Sequence, residues 1–150
     1  MQKVHPAEIP CQRLLYGLDL GGWTPIHFAS KNGHEEVVKV LAGCTENPNA
    51  PDCDNGITPI HLAAQYGHFE IVKILLDYTK TPNVPENKGW TPIHYAAQNG
   101  HTKIVKKLLK YSENPNTPDN HGITPANLAS KNGYIEIVNA LVPGRGSFRS

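Results

Sequence analysis

The chain has 150 residues, 18% of them charged, and a formal net charge of +1 with both signs spread along its length. That length supports one ordinary core. No basic block or acidic tail points to nucleic acid or an anionic membrane, and no apolar run approaches the roughly 20 residues of a membrane-spanning helix.

In chain order, the first ten residues lack the charged start and apolar centre of a signal peptide. Residues 1–21 match no later segment of the chain. Cys11 to Leu20 is apolar enough to shield the open end of a core, so 1–21 is expected to be an irregular N-terminal cap. From Gly22 the chain repeats itself. Gly22 to Gly33 reads GWTPIHFASKNG, Gly56 to Gly67 GITPIHLAAQYG, Gly89 to Gly100 GWTPIHYAAQNG and Gly122 to Gly133 GITPANLASKNG, with opening glycines 34, 33 and 33 residues apart. Four copies at one period define a repeat architecture.

Each unit has a physical reading. Thr24, Thr58, Thr91 and Thr124 each precede a proline, the arrangement of an N-cap with Pro at the first helical position. A short helix follows, and Asn32-Gly33, Tyr66-Gly67, Asn99-Gly100 and Asn132-Gly133 break it with a residue suited to positive φ. A second helix comes next, its apolar residues at helical spacing, as in Ile71, Val72, Leu75 and Leu76. Prolines and asparagines then forbid continuation and mark a projecting turn. The expected repeats are 22–55, 56–88, 89–121 and 122–142, with a flexible tail at 143–150. The extra residue of the first turn lies near Cys53-Asp54, where a bulge is expected.

These residues resemble the ankyrin repeat family over about 22–142: a G-x-T-P-L-H-x-A-A-x-x-G-H core, a V-V-x-x-L-L helix and a D-V-N-A turn. Ile26, Ile60 and Ile93 replace the Leu, and N-P-N-A, T-P-N-V and N-P-N-T replace D-V-N-A. Thr45, Thr79 and Ser112 stand where the family ends its second helix with Gly, so those ends lack an easy left-handed residue. Ala126-Asn127 replaces Ile-His in the last copy, as a capping repeat would. The resemblance implies an all-α ankyrin-repeat solenoid of stacked helix-turn-helix units with projecting β-hairpin-like turns.

The chemistry-bearing residues do not assemble a reactive motif. His27, His61 and His94 lie seven residues before His34, His68 and His101, not at the i, i+4 spacing of a helical metal site. Nucleophile elbows, phosphate loops and Cys–His pairs are missing. Three cysteines, Cys11, Cys44 and Cys53, match neither a disulfide framework nor a zinc pattern, so free thiols at Cys44 and Cys53 and a reducing compartment, cytoplasmic or nuclear, are expected. The expectation is a non-enzyme with no cofactor and no metal, whose partner is a protein rather than nucleic acid, membrane or small molecule.

The family resemblance implies that the turn tips and first helices form a concave partner-binding face. By position it comprises Trp23, Lys31 and Asn32; Asp54, Asn55, Ile57, Gln65 and Tyr66; Asn87, Lys88, Trp90, Gln98 and Asn99; and Asn120, His121, Ile123, Lys131 and Asn132. Trp23 and Trp90 are the natural anchors, although packing between repeats accounts for them equally well. Asn49, Asn83 and Asn116 match the turn asparagine that an asparaginyl hydroxylase modifies in the family; bonding to its own turn backbone is the alternative role. Two rival readings are a fragment of a longer array, whose ends stack on further repeats, and an enzyme or metal protein hidden on the scaffold.

Overall fold

The structure is a computed structural model that describes residues 22–143. The expectations for residues 1–21 and 144–150 fall outside the described residues. Eight short helices occur among the described residues, in pairs: α1 (Pro25–Asn32) and α2 (Glu35–Gly43), α3 (Pro59–Tyr66) and α4 (Phe69–Leu76), α5 (Pro92–Gln98) and α6 (Thr102–Leu109), α7 (Pro125–Lys131) and α8 (Ile135–Leu141). First helices stack in the row α1, α3, α5, α7 and second helices in the row α2, α4, α6, α8. None of the described helices is long and apolar enough to cross a membrane.

The local reasons for each pair are those read from the sequence. Thr24, Thr58, Thr91 and Thr124 are extended N-caps with Pro at the start of the helix. Thr58, Thr91 and Thr124 accept the backbone N–H three residues on, satisfying a donor the helix leaves orphaned. Gly33, Gly67, Gly100 and Gly133 turn the chain at φ between 76° and 80°, a region costly to any side-chain-bearing residue. The core is one continuous seam, with Ala29, Val38, Ile60, Ile71, Leu75, Ile93, Ile104, Leu108 and Ile137 among its members, shared by all the stacked pairs.

The second helices end without a left-handed residue, and no non-glycine residue among those described has positive φ. Asp77 (φ −71°) and Lys110 (φ −72°) close their helices in right-handed geometry. Hydroxyls then organise the start of each turn: Thr45 Oγ1 donates to Leu41 O at 2.8 Å, while Thr79 and Ser112 accept the N–H of Thr81 and Asn114 at 3.2 Å. Replacing the family's Gly therefore incurs no left-handed penalty here.

The turns close like hairpins, although no strand is assigned among the described residues. Glu86 N and Asp119 N donate to carbonyls four residues on, Trp90 O and Ile123 O, whereas Asp52 N reaches Ile57 O, five residues on. The extra residue of the first turn is thus contained within Asp52–Ile57, where the bulge was expected.

Candidate functional site

A histidine relay joins each repeat to the next. Nδ1 of His27, His61 and His94 accepts the backbone N–H of its own Thr cap at 3.0–3.1 Å. The acceptor role at Nδ1 places the proton on Nε2, which donates to Ile57 O, Trp90 O and Ile123 O of the following turn at 2.8, 3.0 and 3.0 Å. Burial holds all three imidazoles below their ordinary pKa, His61 at about 4, against the smaller opposing pull of those carbonyls and of nearby carboxylates. Asn127, in the fourth repeat, keeps the cap, its Oδ1 accepting the Thr124 N–H at 3.0 Å.

Below the turn tips lies a row of buried carboxylates that motif reading did not single out: Asp52, Glu86 and Asp119. Each gathers the N–H groups of its own turn. Asp52 Oδ1 accepts from Asn55, Gly56 and Ile57, Glu86 Oε1 from Lys88 and Trp90, and Asp119 Oδ1 from His121 and Ile123. Burial would raise the Asp119 pKa, but these donors and the Trp90 indole outweigh it and hold it below the usual value. The signal in the sequence was a Pro-Asp or Pro-Glu pair shortly before each opening glycine: Pro51-Asp52, Pro85-Glu86 and Pro118-Asp119.

The two tryptophans answer to these carboxylates. Trp23 Nε1 donates to Asp52 Oδ2 at 2.9 Å and Trp90 Nε1 to Asp119 Oδ2 at 2.7 Å, each reaching the next turn. Each indole also stacks on its own repeat's histidine, His27 or His94, with centroids 5.8 and 5.5 Å apart. In the second repeat, Ile57 offers no donor, and the following carboxylate is the longer Glu86, which takes the Tyr95 hydroxyl at 2.8 Å instead. Burial and that hydrogen bond raise the Tyr95 pKa. Both tryptophans are half-buried, and their polar ends are occupied within the stack.

The other residues expected on the concave face divide by exposure. Lys31, Ile57, Gln65 and Gln98 are half-buried; Asn32, Asp54, Asn55, Tyr66, Asn87, Lys88, Asn99, Asn120, His121, Ile123, Lys131 and Asn132 are exposed. Several of the asparagines stitch neighbouring repeats. Asn87 Nδ2 donates to Asp54 O and Asn120 Nδ2 to Asn87 O, both at 2.9 Å. Asn99 Nδ2 reaches Gln65 O and Asn132 Nδ2 reaches Gln98 O, both at 3.2 Å. Lys31 places its ammonium 5.8 Å from the Trp23 ring centroid and 5.7 Å from that of Tyr66, bridging the first two repeats by cation–π contact. Tyr66 is 46% exposed, so its ring is the larger free aromatic surface at this point.

Among the three turn asparagines, the bonding differs from the expected one. Asn49 Oδ1 accepts from Ile60 N and Asn116 Oδ1 from Ala126 N, both at 2.9 Å. They satisfy the first free N–H of the next helix, that of the residue after its opening proline, rather than their own turn backbone, because that N–H has no partner within its helix. Asn83 instead donates Nδ2 to Leu108 O at 3.0 Å, leaving its Oδ1 buried without a partner. Asn49 is buried, and Asn83 and Asn116 are half-buried.

A cavity of about 320 Å³ lies between the second and third turns, lined by Asn83, Pro85, Thr91, Asn114, Pro115 and Asn120 among others. Its lining holds no titratable side chain. No three His, Cys, Asp or Glu side chains converge among the described residues. Cys44 is an exposed free thiol, but Cys53 is disulfide-bonded, which corrects the expectation of a free thiol there and removes that support for a reducing compartment.

Compared with known protein families, the chain matches the model for ankyrin repeats in three copies over residues 7–86 and again over 80–147. No curated protein matches it at a significant level.

Proposed function

From the premise that this chain belongs to the ankyrin repeat family, whose members generally act in protein–protein interaction, we propose that it is a non-catalytic module holding a protein partner on its concave face. The observation that carries this reading is the stitched surface itself. Asn55, Asn87 and Asn120 on the turn tips, and Asn99 and Asn132 at the ends of the first helices, are held repeat to repeat by side-chain and backbone hydrogen bonds. A surface ordered before contact loses less entropy on binding.

The anchor of that face is the Trp23–Lys31–Tyr66 cluster rather than the two tryptophans alone. Trp90 and Trp23 each spend their indole N–H inside the stack, so replacing them disturbs a buried carboxylate as well as any partner. The Tyr66 and Lys31 side chains make no such hydrogen bond, and their loss removes the exposed cation–π bridge while leaving the hydrogen bonds of the repeat junction in place.

Affinity capture from the source cells, with the wild type and the Tyr66→Ala/Lys31→Ala variant compared side by side, tests the proposal. The variant should melt near the wild type and lose partners that the wild type retains, a single anchor of this kind contributing about 2 kcal/mol or more. Retention of every wild-type partner by a folded variant rules out this face.

A further inference from the structure

The outward faces of the second helices follow one charge rule in three repeats and break it in the remaining one. Glu36, Glu70 and Glu136 occupy equivalent positions, and Lys103 stands there in α6. Glu36 and Glu70 pair with Lys39 and Lys73 three residues on, at 3.3 and 3.2 Å. The same register in α6 brings Lys103 beside Lys106 instead. Lys107 replaces the apolar Val40 and Ile74, and Lys110 replaces Gly43 and Asp77.

Helical spacing puts these lysines on one side of α6, since Ile104, Val105 and Leu108 are buried on the other. The pairs 103/106, 103/107, 106/110 and 107/110 then lie three or four residues apart, where like charges destabilise a helix. Little around them offsets this. Glu136 pairs with Lys106 at 2.6 Å. Lys103 rests over the Phe69 ring at 5.2 Å, a ring that Lys73 already approaches at 5.4 Å. Among the described residues, Lys103, Lys107 and Lys110 form no ion pair, and Glu113, just past the helix, forms none either. The C-terminal end of a helix favours Lys106, Lys107 and Lys110, but it does not account for Lys103 in the first turn.

We propose that this lysine ridge on α6 is a second docking surface, distinct from the concave face, for an acidic segment of a partner protein. Its shape selects the occupant. The ridge is one helix wide, and the flanking helices present exposed Glu70 and Asp77 on one side and Glu136 on the other. A broad anionic surface such as a lipid bilayer meets those carboxylates together with the lysines, which weakens its attraction. A single acidic strand or helix laid along α6 meets Lys103, Lys107 and Lys110 and avoids the carboxylates on the neighbouring helices.

The test uses a labelled oligoglutamate peptide, with vesicles of phosphatidylserine and phosphatidylcholine in parallel. The full chain should bind the peptide, with affinity falling as salt rises, and should bind the vesicles more weakly. Lys103→Gln/Lys107→Gln should weaken peptide binding about fivefold to tenfold, and the concave-face variant Tyr66→Ala/Lys31→Ala should bind as the wild type does. Lys103→Glu, which changes the charge by the same two units, should weaken binding to a similar degree while raising the melting temperature, because it restores the Glu–Lys spacing of the first two repeats. The proposal is overturned by absence of peptide binding, by binding that the double Gln variant leaves unweakened, by binding lost only in the concave-face variant, or by vesicles binding in place of the peptide.

Discussion

His61 is the histidine that burial holds furthest below its ordinary pKa among the described residues, and its chemistry runs in one direction. In the fold, burial holds its pKa at about 4, whereas an unfolded chain takes up the proton near 6.5. Above pH 6.5 both states are neutral and the histidine contributes its full stability. Between 6.5 and 4 the unfolded state gains a proton the fold refuses, so stability falls as pH falls, by roughly 3 kcal/mol in all for this residue. His27 and His94 are lowered too and act in the same sense. Urea unfolding followed from pH 8 to pH 4 should show this decline, and a flat profile contradicts the relay. A second residue-scale test separates two demands on glycine. Gly67 has φ 80°, and a Cβ there would come within 2.7 Å of the His101 ring; Gly133 has the same φ with nothing within 4 Å. Gly133→Ala should cost about 1–2 kcal/mol for left-handed backbone alone, and Gly67→Ala a further ~1–3 kcal/mol for overpacking, read from denaturant midpoints.

At the scale of elements, the turns and the second helices show how one pattern serves different ends. Where Trp opens the repeat, the next turn carries Asp; where Ile57 opens it, the next turn carries Glu86 and finds Tyr95. The carboxylate adjusts its length to the nearest donor, a match invisible to a reading that takes each repeat alone. Helix α6 is the counterpart on the outer surface. Lys103→Glu should stabilise it by about 0.3–0.5 kcal/mol by forming a Glu–Lys pair with Lys106 and removing like-charge neighbours, measurable as a higher midpoint at low salt that fades as salt is added. Gain of stability with weakened acidic-peptide binding separates a functional charge pattern from a structural one.

Over the whole molecule, the separation of the first and last repeats by two others makes stability a sum of neighbouring interfaces. Val38 in α2 and Ile137 in α8 are fully buried and separated by two intervening helices of the second row. Val38→Ala and Ile137→Ala should therefore be additive within about 0.5 kcal/mol in the double variant, and strong coupling between them in denaturant unfolding is the result that contradicts the solenoid description. The outer edges differ from the interior for the same reason. Val37 and Val40 on α2 and Ile135 on α8 are exposed, since they lie at the two ends of the described stack, where no further described repeat covers them.

The repeat period, the threonine caps, the helix-breaking glycines and the apolar seam were all legible in the sequence, because each depends on residues within one turn or one helix. Even the one-residue bulge at Asp52–Ile57 followed from spacing. Tertiary structure alone decided what depends on a neighbour: that Trp23 and Trp90 give their indole N–H groups to Asp52 and Asp119, that Asn49 and Asn116 cap the following helix rather than their own turns, and that Lys31 joins Trp23 to Tyr66. Partners such as these lie about one repeat away along the chain for the tryptophans and for Lys31 with Tyr66, and which side chain faces which is set by stacking, not by local propensity. Local rules therefore specified the unit, and contact between units selected the surface available to a partner.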